Sequence, residues 1–264
     1  MMSPVLYTDK VQLLNTLESV PLLGYSTQRD LPMIGNRRYD VGRFLTKSLN
    51  RLGLNYVDAY LMEGPVGLQG RNDEDLRPRN KGGKSRLDLS SDIFSVWRGM
   101  EDQYITGRAR YVGLCNFNIE QVNAIYTRCN LKPHIVQLDI NVYHMREAER
   151  QFLEEKKITV MAIYTLGPPS YTTIKGYPTL PRNAKVIKIA RDHGVHTKAV
   201  LVQFLLQQKI ISFLKGVSLE IQTKIYAGLQ NLHLNKEEME VLRRLEMGGY
   251  ARQRDFVEHK GWER

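Results

Sequence analysis

Along the chain, apolar residues recur at spacings of three and four in some stretches and in short continuous runs in others, and this alternation predicts helices and strands in turn. A helix is predicted over Arg38 to Leu52, with Val41, Phe44, Leu45, Leu49 and Leu52 on one face and Gly53 closing it. Asn55 to Met62 reads as a strand, and the polar, glycine-containing stretch Gly64 to Ser91 as a long loop. A second helix starts near Ser91 and Asp92, carries Ile93, Phe94, Trp97 and Met100, and stops by Gly107, before a strand at Arg110 to Leu114. The pattern repeats with helix Ile119 to Arg128 behind Asn118, strand Ile135 to Ile140, helix Arg146 to Lys156 and strand Ile158 to Ile163. After a loop with Pro168, Pro169, Pro178 and Pro181 come helices Ala184 to His193 and Lys198 to Gln208, strand Ile211 to Leu214, and helices Leu219 to Leu229 and Lys236 to Met247.

Strands alternating with helices predict an α/β protein with a parallel sheet of the TIM-barrel type, which closes with eight strands. Five strands are clear here, with a sixth at Pro21 to Tyr25. The first 35 residues leave room for one helix, Lys10 to Leu17, and one strand, so the expectation is a single barrel domain over residues 1–264 that is N-terminally truncated or incomplete. Exposed strand edges would then need cover from residues 1–8, from Gln253 to Trp262, or from another subunit.

Composition narrows the class. With 264 residues, 42% hydrophobic and 25% charged, the chain can bury a substantial core. Its longest uncharged apolar run, Ala199 to Leu206, falls far short of the roughly 20 residues of a membrane helix, and the first residues carry no leader pattern, which predicts a cytosolic protein. Cys115 and Cys129 make no disulfide framework and are expected as buried thiols. A net charge of +10 raises the question of nucleic acid, but the basic residues are scattered. The one concentrated stretch, Arg71 to Arg86, is a loop without interleaved aromatics, so it is expected to be a solvated loop, with attraction to an anionic small ligand or a protein partner as the other reading. The six histidines show no metal-ligand spacing, and no nucleophile elbow, Walker loop or dinucleotide fingerprint occurs.

Local motifs carry a more specific signal. Ser48 through Leu52 leading to Tyr56-Val57-Asp58-Ala59-Tyr60-Leu61 resembles the aldo-keto reductase stretch that ends "DYVDLYLIH". Trp97-Arg98-Gly99-Met100-Glu101, Gly107 and Val112-Gly113-Leu114-Cys115-Asn116-Phe117-Asn118 are similar to "WEAME…G…IGVSNFN". Lys132-Pro133 with Val136-Gln137-Leu138 resembles "KP…NQVE", and Leu166-Gly167 resembles part of "YSALGS". These matches keep their order from about Leu45 to Met247, and the ordered set, more than any one piece, marks a resemblance to the aldo-keto reductase family.

The resemblance implies transfer of hydride from NADPH to a carbonyl, with a tyrosine as general acid, a lysine–aspartate pair that makes the tyrosine more acidic, and a histidine that orients the carbonyl. A proton donor is needed because an alkoxide forms as hydride arrives. The histidine position falls on Glu63, which reads either as lining a ligand pocket or as a solvated strand-end carboxylate; family members that reduce steroid carbon–carbon double bonds carry glutamate there. No lysine lies between Lys10 and Lys47, Tyr7 is the only candidate for the tyrosine, and Met1 to Leu6 contain no acid. On the cofactor side Asn116 and Gln137 match residues that hold the nicotinamide carboxamide, or are simply satisfied strand-end amides. Cys115 stands where the family has serine, and Ile163 where it has a stacking tyrosine, with Tyr164 one residue on. Lys215 in Lys215-Gly216-Val217-Ser218 matches the lysine that meets the 2′-phosphate, but no arginine follows before Arg243. The expectation is therefore an NADP(H)-dependent reductase of aldehydes or ketones with weak or lost cofactor binding and impaired or altered activity; the alternative is an inactive relative that binds a ligand or a protein.

Overall fold

The computed structural model describes residues 10–12, 19–21, 23–25, 30–167, 178–214 and 218–248. In chain order the elements are β1 (Lys10–Gln12), β2 (Ser19–Pro21), β3 (Leu23–Tyr25), α1 (Arg38–Leu52), β4 (Val57–Met62), β5 (Gly67–Leu68), β6 (Leu87–Asp88), α2 (Ile93–Ile105) and β7 (Ala109–Cys115). Then follow α3 (Ile119–Arg128), β8 (Ile135–Asp139), α4 (Glu147–Glu155), β9 (Thr159–Ile163), α5 (Ala184–Asp192), α6 (Thr197–Leu206), β10 (Ile211–Leu214), α7 (Leu219–Leu229) and α8 (Lys236–Arg243). Two compact units share them: one takes the described residues within 1–26 and 138–253, the other those within 27–137.

In the second unit β4, β7 and β8 pair in parallel, with Met62 opposite Leu114, Gly113 opposite Ile135 and Cys115 opposite Gln137. Capping fixes the helices that cover them. Gly53 takes the left-handed conformation (φ 66°) that ends α1, Asp92 accepts from the Phe94 and Ser95 amides to start α2, and Asn118 and Gln121 form a reciprocal capping box on α3. The core gathers Val41, Leu45, Tyr60, Met62, Trp97, Met100, Val112, Leu114 and Ile125, all essentially without solvent exposure. Gly113 is needed at its place on β7: a Cβ there would lie 2.3 Å from the Ile135 carbonyl oxygen and 2.8 Å from a Leu61 methyl. The polar stretch after β4 contains the short antiparallel pair β5–β6, so it is pinned at its base rather than loop throughout.

In the first unit β8, β9, β10 and β3 follow one another as neighbours, with Ser212 opposite both Ala162 and Leu23. The apolar run Ala199 to Leu206 is α6, buried all round, which is why its sequence lacks a polar face. Among the described residues no helix is long and apolar enough to cross a membrane. One expectation is overturned: Lys10 to Leu17 does not begin as a helix, because Lys10–Gln12 pairs antiparallel with Ser19–Pro21, Val11 opposite Val20. The sixth strand near Pro21 to Tyr25 is present as β3, paired with β10. Both cysteines are buried free thiols, as expected.

Candidate functional site at the strand ends

The parallel register of β4, β7 and β8 brings their C-terminal ends to one level, which is where parallel α/β folds place chemistry. Glu63 follows β4, Cys115 ends β7, Asn116 comes next, and Gln137 lies on β8. Leu31 runs beside the end of β4 on its other side: its amide donates to the Leu61 carbonyl (2.8 Å), and its carbonyl accepts from the Glu63 amide (3.1 Å). Four of the residues singled out in the sequence therefore meet in one place.

Hydrogen bonds join them. The Cys115 thiol donates to Gln137 Oε1 (3.0 Å), while Asn116 Nδ2 donates to Cys115 Sγ (3.1 Å) and to the Glu63 carbonyl (3.4 Å). The Asn116 amide donates to the Gln137 carbonyl (3.1 Å), which extends the ladder one residue past β7. Asn116 then adopts φ 60°, a left-handed turn that asparagine tolerates better than most residues and that costs backbone strain at a site of convergence. Its Nδ2 donor is thereby committed, and among the described residues no donor is recorded for Oδ1.

The Glu63 carboxylate is held by Arg77, whose Nη1 donates to Oε2 (3.3 Å) and whose Nη2 meets Oε1 closely. The glutamate side chain is 19% exposed and the arginine 47%. Arg77 comes from the stretch between β5 and β6, and sequence reasoning missed it because nothing in its spacing points to Glu63. Asp30 is the second missed residue. It directly precedes Leu31, so an acid rather than a lysine stands on the segment that pairs with β4 before α1. Burial raises the Tyr60 hydroxyl far above its ordinary pKa, and the charge of Asp30 adds to that direction; the hydroxyl donates to the Val41 carbonyl (3.3 Å) and stays protonated.

Tyr7 and Lys215 lie outside the described residues. Ser218, which closes the Lys215 motif, caps α7 by accepting from the Ile221 amide. In the first unit Tyr164 has φ 61°, so the chain leaves the strand conformation there instead of extending β9 past Ile163. Among the described residues no group of three or more His, Cys, Asp or Glu side chains is placed to hold a metal ion.

Comparison with known proteins matches residues 29–246 to the model of the aldo/keto reductase family. The chain is 28% identical over 206 residues to aldo-keto reductase family 1 member A1 of Xenopus tropicalis, covering 77% of this chain and 61% of that protein. To the 4-dihydromethyl-trisporate dehydrogenase of Mucor mucedo it is 29% identical over 179 residues, covering 65% and 56%. The chain thus spans roughly three fifths of the length of these relatives, whose coverage is 61% and 56%. The structure of the aldose reductase from Schistosoma japonicum superposes with a TM-score of 0.73 at 27% identity, covering 86% of this chain and 69% of that one, and the fold is accordingly of the parallel α/β, TIM-type class.

Proposed function

Because the chain belongs to the aldo/keto reductase family, we propose that it reduces aldehydes or ketones with a nicotinamide nucleotide, more slowly than a member with the full set of proton-transfer groups. The observation that carries this reading is the joined cluster of Asn116, Cys115 and Gln137 beside Glu63. A primary carboxamide offers one acceptor and an N–H donor pair. Asn116 Oδ1 fits the donor, and the hydrogen bonds that tie Asn116 to Cys115 and Cys115 to Gln137 hold it in place. When bound, the nucleotide supplies the hydride. Lys215 is the residue assigned to the 2′-phosphate, and as a point charge without an arginine fork it gives little preference for NADPH over NADH.

Glu63 and Tyr7 are the proposed catalytic residues. Glu63 presents a carboxylate already paired with Arg77, which suits it to orienting a ligand more than to giving up a proton. Tyr7 would donate the proton to the developing alkoxide, but no lysine lies between Lys10 and Lys47 to make such a phenol more acidic. General acid–base assistance is worth about 100-fold or more, so turnover at least about 100-fold below that of an intact member is expected. Calorimetry with NADPH and NADH, followed by steady-state oxidation of NADPH on a panel of aromatic and aliphatic aldehydes, tests the reading. Tight NADPH binding below about 1 μM with rejection of NADH, or ordinary turnover, would overturn the attenuated assignment. The second reading, a family member that binds a ligand or a protein without turnover, is favoured by the Glu63 carboxylate, which is held in an ion pair with Arg77 and stands where the family has histidine. Nucleotide binding without NADPH oxidation on any aldehyde would establish it.

A further inference from the structure

The stretch between β5 and β6 sorts its charges by place. Its three acids are each engaged: Asp73 by Arg43 and Lys47 of α1, Glu74 by Arg51 of α1, and Asp75 by Arg71. Residues 77–86 contain no acid and carry Arg77, Arg79, Lys81, Lys84 and Arg86. Of these only Arg77 has an acidic partner among the described residues, namely Glu63 at the end of β4.

These cations sit on a built turn. Arg79 and Ser85 bridge antiparallel, the Asn80 amide donates to the Lys84 carbonyl (2.8 Å), and the Arg86 amide donates to the Pro78 carbonyl (3.0 Å). Asn80 Oδ1 accepts from the Gly82 and Lys84 amides (3.0 Å each), Gly83 takes φ 77°, and Arg79 Nη1 donates to the Gly83 carbonyl (2.6 Å). The Gln69 amide reaches back to the Arg86 carbonyl (2.8 Å) and joins the turn to its base. Lys81 and Lys84 are exposed at its tip, while Arg77 at its root touches the strand-end cluster.

We propose that the 77–86 turn is an anion-recognition element of the strand-end site, and that the site takes carbonyl compounds bearing a phosphate or carboxylate group. This rests on the reductase reading for the carbonyl and on the turn for the anion. Cations without acidic partners among the described residues, presented on a hydrogen-bonded turn, raise the local concentration of an anion, and the effect weakens with ionic strength. A small anion suits the turn better than a nucleic acid, because residues 77–86 include no aromatic side chain on which a base could stack. Arg77 keeps further N–H donors beyond the two that meet Glu63, so it can share its guanidinium between Glu63 and an incoming oxyanion.

The test is calorimetric binding without nucleotide, so that it stands apart from turnover. The probes are glyceraldehyde 3-phosphate, succinic semialdehyde and neutral glyceraldehyde, each titrated into the wild type and into the triple variant Arg79→Gln, Lys81→Gln, Lys84→Gln. All three substitutions are at exposed positions, and thermal melting verifies that the variant is folded. The expected result is that one or both anionic aldehydes bind the wild type about tenfold or more tightly than they bind the variant, whereas glyceraldehyde does not distinguish them. Raising salt from about 20 to about 200 mM should weaken anion binding to the wild type and leave the variant's unchanged. Whichever anion binds more tightly names the substrate group. Anion binding without NADPH oxidation supports this inference and counts against the reductase reading. Equal binding by wild type and variant, absence of binding by either anion, or stronger binding of a duplex oligonucleotide than of the small anions would overturn it.

Discussion

Replacing His144 by phenylalanine should make the protein more resistant to mild acid. His144 follows β8 in the first unit, where its amide donates to the Asn141 carbonyl (2.8 Å) and its carbonyl accepts from the Asn141 amide (3.0 Å). The residue is 7% exposed, and both ring nitrogens are buried without a hydrogen-bond partner among the described residues. The closest carboxylate, Glu246, lies 3.8 Å from Nδ1 and is already engaged by the Met145 (2.5 Å) and Gly248 (3.0 Å) amides. Burial pushes the imidazole pKa down; Asp139, Glu246 and Glu149 pull it up and Arg146 pushes it down, and the net direction is downward. The unfolded chain therefore takes up this proton first, near pH 6.5. Stability is whole above about pH 6.5 and is lost as pH falls from there through the lower folded-state value, by at most about 1.4 kcal/mol per pH unit. Phenylalanine removes that slope. It also removes two unpartnered polar atoms, worth about 1–3 kcal/mol each, against an overpacking cost of about 1–3 kcal/mol, so the variant should be at least as stable as the wild type at pH 7.5. Urea titrations at half-unit steps from pH 8 to 5 read the difference directly. If His144→Phe keeps the wild-type slope between pH 6.5 and 5.5, the protonated ring finds a partner in the folded state and the reasoning fails.

Gly113→Ala should lower stability by about 1–3 kcal/mol or prevent folding, since its Cβ would meet the Ile135 carbonyl at 2.3 Å; a denaturant midpoint equal to wild type would contradict the close approach. Asp139→Leu alone should cost about 3–5 kcal/mol because it strips the buried Arg146 of its deeper partner, whereas Asp139→Leu with Arg146→Met should recover most of that loss, as a double-mutant cycle would record. Burial raises the Asp88 carboxyl pKa, but hydrogen bonds from Ser90 and Arg37 outweigh it and the net shift is downward. Its stabilisation is thus present above about pH 3.9 and lost as pH falls through the lower folded value, and Asp88→Asn should flatten this acid limb in thermal melts. Cys115→Ser replaces a weak donor between Asn116 and Gln137 with a stronger one, and it should tighten NADPH and NADH equally, by up to about tenfold; a gain for one nucleotide alone would count against the shared carboxamide site.

Elements that end on their own caps were legible in the sequence. The bounds of α1, α3 and α7 coincide with those expected because Gly53, Asn118 and Ser218 satisfy helix ends within a few residues, a local matter. The buried β10 was equally clear from its apolar run. Lys10–Gln12 was misread because its strand character comes from pairing with Ser19–Pro21, whereas its local pattern suits a helix. The final helix stops at Arg243, short of Met247: Glu246 turns to accept the Met145 and Gly248 amides, and the Met247 amide donates to the Tyr143 carbonyl (2.8 Å). Met145 and Tyr143 lie about a hundred positions from these partners, beyond any window of periodicity.

The site divides along the same line. Glu63, Cys115, Asn116 and Gln137 could be found because the motifs that hold them resemble those of the family, and the strands that carry the motifs were legible from their apolar runs. What those residues can do depends on neighbours that the pattern does not carry. Arg77 reaches Glu63 only because β5 and β6 close the base of a polar stretch while Arg43, Lys47 and Arg51 draw its acids toward α1. Asp30 comes beside β4 because Leu31, isolated from any named strand, bridges to Met62, and its charge acts on Tyr60. Two residues outside the motifs therefore shape the charge around strand β4: Arg77, which pairs with the Glu63 carboxylate, and Asp30, whose charge bears on Tyr60. A cluster that resembles its family at the level of single letters is thereby tuned by tertiary charge placement, and Glu63 is better understood as half of an ion pair than as a lone replacement for histidine.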